Sequence, residues 1–167
     1  AAERIFRLLD EPEEPVDAPD SMELKQAEGD VELSHVKFGY NSVKTIIHDL
    51  SFHVKPGKMI AVVGPTGAGK TTLINLLMRF YDIQDGSICV DGMNVSRITR
   101  ESLRKSYAMV LQDTWLFAGT IKENIRYGRL DATDQEVIAA AKAAHAHGFI
   151  MAMPGGYEME LHEGASN

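Results

Sequence analysis

The residues best suited to chemistry lie together, in Gly64-Pro65-Thr66-Gly67-Ala68-Gly69-Lys70-Thr71. Its glycines can take backbone dihedrals that a Cβ resists, so successive N–H groups can turn inward as a nest for an anion. Lys70 adds a full positive charge, and the Thr71 hydroxyl is a hard oxygen donor suited to Mg²⁺. The spacing fits G-x-x-x-x-G-K-[ST], the P-loop pattern, in which the loop cradles the phosphates of a nucleoside triphosphate and the lysine reaches the β- and γ-phosphates. Gly64 through Thr71, with Thr72 directly after, are therefore candidate nucleotide-binding residues, and Lys70 is also a candidate catalytic one. The plain alternative is a glycine-rich turn with a surface lysine. The loop alone does not separate ATPases, GTPases and kinases.

The flanks supply the elements that such a loop needs. Lys58-Met59-Ile60-Ala61-Val62-Val63 is a short apolar run with β-branched residues, which predicts a buried strand. After the loop, Leu73, Leu76, Leu77 and Phe80 recur at helical spacing and predict an amphipathic helix. Strand, glycine-rich loop and helix is the context that supports the motif. The helix start adds unpaired N–H donors and a partial positive charge at the same place.

Composition is that of a soluble globular protein: 167 residues, 44% apolar and 25% charged. No apolar run reaches the roughly 18 residues of a membrane helix, and no secretory signal is visible. Cys89 is the single cysteine, so no disulfide forms within the chain; in a predicted strand it reads as a buried, inert thiol. Residues 1–30 hold ten acids against three bases and account for the whole net charge of −7. The remainder is neutral and has no basic excess to suggest a nucleic-acid partner.

In chain order, Ala1–Leu9 predict the end of a helix through the partial apolar face of Ile5, Phe6, Leu8 and Leu9. Asp10–Asp20 holds three prolines and six acids and predicts an extended, solvated linker. Residues 30–38 alternate apolar and polar, as a half-buried strand does. Residues 45–47 and 50–54 predict further antiparallel strand, and Lys55-Pro56-Gly57-Lys58 a tight turn. Residues 82–86 predict a turn and 87–90 a strand. Asp91-Gly92 signals a hairpin. A short helix over 100–105 and a buried strand over 107–111 follow. Thr120 with Glu123, and Thr133 with Glu136, are capping-box patterns, opening helices at Ile121 and over 135–147.

Taken together, these pieces resemble the nucleotide-binding domain of ABC transporters, the exporter type in particular. Val36-Lys37-Phe38-Gly39-Tyr40 resembles the family's A-loop, and Gly86-Ser87-Ile88-Cys89-Val90-Asp91-Gly92 its hairpin. Val110-Leu111-Gln112-Asp113 is similar to the Q-loop, and Phe117–Ile125 to the exporter segment after it. Pro154-Gly155-Gly156-Tyr157 and Glu163-Gly164 resemble the run-up to the signature motif. The match covers about residues 30–167, and Ala1–Leu9 resemble the cytoplasmic extension of the last transmembrane helix. The sequence departs from the family's pattern in containing no LSGGQ signature, Walker B aspartate, adjacent catalytic glutamate, D-loop or switch histidine. His145 and His147 read as solvated or partly packed residues.

The resemblance implies roles residue by residue. Tyr40 would stack on adenine, a contact worth about 1–3 kcal/mol; the alternative is a turn tyrosine packed on the sheet edge. Gln112 would reach Mg²⁺ or the attacking water, making it a candidate metal ligand with Thr71 and a candidate catalytic residue with Lys70; the alternative is a strand-end glutamine. Trp115, Leu116 and Phe117 would receive a membrane domain's coupling helix, or else form helical-subdomain core. Glu160 and Glu163 would touch the opposite coupling helix, or else lie on an exposed tail.

The expected fold class is α/β: a P-loop NTPase core with an antiparallel β-subdomain, part of a helical subdomain and an incomplete parallel sheet. The expected division is a helix end and linker over 1–29, an ATP-binding core over 30–112 and a partial helical subdomain over 113–167. The implied cofactors are ATP and Mg²⁺. The implied partners are a membrane-spanning domain of the same or a partner chain and a second nucleotide-binding domain, at the cytoplasmic face of the cell membrane; the 167 residues alone are expected to be soluble. They are expected to bind nucleotide at most, without hydrolysing it. The competing reading is a non-catalytic interaction or structural fragment that associates or domain-swaps. A weaker one is a P-loop kinase or GTPase.

Overall fold

Alternating apolar residues make β1 (Val31–Phe38) the strand that organises the N-terminal part of the chain. In the computed structural model, which describes residues 2–41, 43–111 and 115–162, β1 pairs antiparallel with β2 (Ile47–Val54) on one side and β3 (Asp85–Val90) on the other. β3 turns at Asp91-Gly92 into β4 (Met93–Asn94), the hairpin that the dipeptide predicts. The sheet order is β2-β1-β3-β4. Two compact units are present, residues 1–109 and residues 110–167.

The core of the first unit is made by Leu33, Val36, Phe38, Ile88 and Val90 of the sheet with Leu73, Leu76, Ile98 and Leu103. Leu73 and Leu76 come from α2 (Lys70–Leu77), the helix that the 72–80 periodicity predicts. Leu103 comes from α3 (Arg100–Lys105), which Thr99 caps by accepting from the Ser102 N–H. β1 bulges at His35, which takes φ 50°. Opposite it, Gly86 approaches so closely that a Cβ there would lie 2.4 Å from the carbonyl oxygens of Ser34 and His35.

Two expected strands differ in the structure. Residues 58–63 form no regular strand, and Met59 and Val63 are 98% and 87% exposed. Residues 107–111 likewise lack strand pairing. An extended segment becomes a strand only when a neighbour satisfies its N–H and C=O groups. Among the described residues no strand pairs with either segment, and the parallel pairing present is an isolated bridge between Met22 and Ile98. The chain is thus a mixed α/β protein whose regular sheets are antiparallel.

The acidic N-terminal segment is extended and largely exposed, yet it is fastened at particular residues. After α1 (Ala2–Leu9), Asp17 accepts from the Arg100 guanidinium at 2.7 Å and from the Arg100 backbone N–H at 2.8 Å. Glu14 pairs with Arg104. Met22 bonds to the backbone at Arg97 and Thr99, and Leu24 is buried. Ion pairing and a few apolar anchors fasten a stretch too polar to pack by itself.

In the second unit, β5 (Gly119–Thr120) pairs antiparallel with β6 (Glu160–Leu161). Both predicted capping boxes are present. Thr120 opens α4 (Ile121–Arg126) and Thr133 opens α5 (Asp134–Ala143), each with its glutamate returning a bond to the cap N–H. The helix expected over 135–147 is broken: α5 ends at Ala143, His145 takes φ 56°, and α6 (His147–Ala152) starts anew. Ile121, Val137, Ala141, Ile150 and Tyr157 form the core of this unit. No helix among the described residues is long and apolar enough to cross a membrane.

Candidate functional site

The P-loop residues form a compact turn that runs straight into α2. Gly67 and Gly69 take φ 84° and 90°, left-handed values that glycine tolerates and β-carbon-bearing residues resist. Gly69 is the N-cap and offers no side chain, so the first-turn N–H groups are not capped from within the helix start. The Lys70 ammonium folds back over the loop, donating to the carbonyl oxygens of Gly64 at 2.6 Å and Pro65 at 2.8 Å. Neutral carbonyls are weaker partners for an ammonium than phosphate oxygens are, so an arriving phosphate can compete for it.

A cleft of about 670 Å³ lies beside this loop. Thr66, Gly67, Gly69, Lys70, Thr71 and Thr72 line one side; Lys44, Thr45, Ile46 and His48 line the other. Two lysines, glycine-rich backbone and a helix start facing one opening favour an anion. Lys44 and His48 were not picked out by the sequence patterns. Their hint is position alone, at the entry to the strand beside the loop.

Tyr40 sits on the turn after β1 and is 47% exposed. Its ring meets Phe38 at 5.1 Å and Tyr81 at 4.9 Å, both nearly perpendicular. Its hydroxyl donates to Thr72 Oγ1 at 3.3 Å and accepts from Asn75 Nδ2 at 3.1 Å. Thr72 is buried, and its hydroxyl is engaged by Tyr40. Thr71 is exposed at the cleft, where its hydroxyl is an oxygen donor of the kind Mg²⁺ takes. Gln112, the other metal and catalytic candidate, lies outside the described residues, as do Glu163 and Gly164. Among the described residues no cluster of three or more His, Cys, Asp or Glu could hold a metal.

In the second unit the Phe117 ring packs on Tyr127 at 4.8 Å. Asn124 clamps the Phe117 backbone through bonds of 2.8 and 2.9 Å. Trp115, Phe117 and Tyr127 are largely exposed, while Leu116 is partly covered. Glu160 is exposed in register with Thr120. His147 is part-buried against the Tyr157 hydroxyl at 2.9 Å, as a partly packed residue would be.

The family model for ABC transporters matches residues 47–159, more than half of the chain. The chain belongs to the ABC transporter family. The resemblance first drawn from Tyr40, the P-loop and the downstream segments therefore holds. Among ABC transporter relatives, a fatty acid ABC transporter ATP-binding/permease protein of Mycobacterium bovis is 53% identical over 96% of this chain and 25% of its own length. The ABC transporter ATP-binding protein YfiC of Bacillus subtilis is 52% identical over 99% of this chain and 27% of its own length. A solved bacterial Atm1-family ABC exporter with ATP bound superposes with a TM-score of 0.86 at 43% identity, covering 98% of this chain and 29% of that one. The chain spans about a quarter of the length of these ABC transporter relatives.

Proposed function

We propose that this chain is the ATP-binding portion of an ABC exporter's nucleotide-binding domain, and that residues 64–72 hold the phosphates of ATP. The observation that carries the reading is the Lys70 ammonium poised over the Gly64 and Pro65 carbonyls at the open N-terminus of α2. Tyr40 supplies the aromatic surface for adenine, and the Thr71 hydroxyl a protein oxygen for Mg²⁺. In the whole protein, ATP hydrolysis would drive transport. Two such domains would pair, each carried by a membrane-spanning domain at the cytoplasmic face of the membrane. Trp115, Phe117 and Tyr127 provide an aromatic surface for that membrane domain.

Hydrolysis needs charge stabilisation at the γ-phosphate and a positioned, polarised water. Lys70 and Thr71 are suited to the first. On this reading the 167 residues bind Mg·ATP and do not turn it over. Calorimetric titration with Mg·ATP should saturate, and phosphate release should equal that of the no-protein control. Turnover above the control that Lys70→Ala abolishes would overturn the second statement; absence of saturation would overturn the first.

A second reading is favoured by the exposure of Met59 and Val63, apolar residues in an unpaired extended segment. It makes the chain an associating or domain-swapping piece. Light scattering separates the two, since a monodisperse monomer that binds Mg·ATP removes this reading.

A further inference from the structure

An aromatic residue on a turn after a glycine is a poor stacking platform unless something holds its ring. Tyr40 is held from three directions. Phe38 and Tyr81 meet it nearly edge to face, at 84° and 83°, the geometry that aromatic quadrupoles favour. Tyr81 also packs on Phe38 at 5.8 Å, closing a triangle of three rings. The hydroxyl is bonded on both counts open to it, donating to Thr72 and accepting from Asn75. Thr72 and Asn75 lie one turn apart on α2, so the tyrosine is tied to the same helix that the P-loop opens. Nearly half of Tyr40 stays open to solvent.

We infer that Tyr81 and Asn75 are positioning residues for the nucleotide base: they fix the ring of Tyr40 relative to α2, so that base and phosphates are received at a preset spacing. The inference rests on the nucleotide-binding reading above. Neither residue need touch the ligand. Each lowers the ordering cost of stacking by holding Tyr40 before the base arrives. Asn75 lies on the helix face of Thr71 and Thr72, away from Leu73 and Leu77, and Tyr81 lies beyond the helix end; neither belongs to the loop pattern itself.

The test compares two probes on the 167-residue chain by calorimetry: Mg·ATP, which has a base, and inorganic tripolyphosphate with Mg²⁺, which has none. Tyr81→Leu should weaken Mg·ATP roughly three- to tenfold, the scale of one edge-to-face ring pair, and leave tripolyphosphate unchanged. Asn75→Ala should act in the same direction, and Tyr81→Phe, which keeps the ring, should restore the parent affinity. Equal weakening of both probes by Tyr81→Leu would mean general damage to the fold and overturn the inference. So would a Tyr81→Leu variant with parent affinity for Mg·ATP in a chain where Tyr40→Ala weakens it, and then the nucleotide reading survives. If Tyr40→Ala has no effect, the role of Tyr40 falls and the inference falls with it. If the parent chain binds neither probe, the nucleotide reading itself is overturned.

Discussion

Arg100 grips Asp17 across 83 residues of sequence: its guanidinium reaches one carboxylate oxygen at 2.7 Å and its backbone N–H the other at 2.8 Å. Arg100 is buried, and its charge is shared with Asp82 at 3.1 Å and with Glu14 at 3.6 Å from Nε. Arg79, also buried, donates to Asp82 and to the carbonyls of Val95 and Ile98. Arg104 holds Glu14 and donates to the carbonyls of Met78 and Arg79 just past α2. The acidic segment is therefore fastened to the end of the P-loop helix through three arginines.

Removing the Asp17 carboxylate should be costly, because it leaves buried guanidinium charge with only part of its compensation. Asp17→Ala is expected to destabilise the chain by about 2–4 kcal/mol, less than the full loss of a buried pair because Asp82 and Glu14 remain. Urea unfolding measures it. A loss below about 0.5 kcal/mol, the range of ordinary surface substitutions, would mean that the segment is not held as described.

Acid should release the same fastening. For Asp17, burial alone would raise the carboxyl, but the backbone N–H and guanidinium of Arg100 outweigh it and hold it below the usual range. Glu14 is held low chiefly by its hydrogen bond from Arg104. In the second unit Glu136 is lowered from 4.5 to about 2, first by the Thr133 backbone N–H of the capping box, then by the Thr133 hydroxyl and Arg129. All three carboxyls have folded values below their unfolded ones. Their stabilisation is thus full above about pH 4.5 and is lost as pH falls through the folded values. Urea midpoints should be level from pH 7 to about 5 and fall steadily below 4, with a shallower fall in Asp17→Asn. A midpoint that rises on acidification would contradict the assignment.

Local patterns were legible because local physics realises them. The Thr120 and Thr133 caps, the Asp91-Gly92 hairpin and the glycine loop each form from a few neighbouring residues, and all appear where the sequence places them. Residues 58–63 and 107–111 read as strands by composition, but a strand needs a neighbour, and composition does not say whether one is present. Asp10–Asp20 read as an extended, solvated linker, and what fastens it is some 80 residues away, in arginines whose burial no pattern announces. The same holds at the site. Gly64–Thr71 was visible as a motif, while Asn75 and Tyr81 reach Tyr40 only through the fold.

Gly86 carries a prediction about the sheet. It has φ 85° and faces the β1 bulge, where an added Cβ would lie 2.4 Å from two carbonyl oxygens of the backbone. Backbone has little freedom to retreat at a paired strand. Gly86→Ala should cost at least about 2 kcal/mol and disturb pairing beside Ser34. Amide exchange at Leu33 and Ile88 together with urea unfolding would show it. Gly57→Ala is a useful contrast. It has a similar positive φ but nothing within 4 Å of an added Cβ, so only the backbone strain remains and its cost should be smaller.

Lys70 carries the prediction closest to function. Without phosphate its ammonium is bonded to Gly64 and Pro65 within its own loop, at 2.6 and 2.8 Å. Binding must exchange these carbonyls for phosphate oxygens, and the gain comes from the charge on the new acceptor. Lys70→Ala should weaken Mg·ATP roughly 10- to 100-fold, the scale of one hydrogen bond to a charged group. Adenosine, which lacks phosphates, should bind parent and variant alike. Thermal unfolding provides the check: ligand that binds only the folded chain stabilises it by about 2.7 kcal/mol at a hundred times its Kd. The parent should gain that much with Mg·ATP, and the variant far less at the same concentration. If Lys70→Ala gains as much as the parent, the loop does not receive the phosphates.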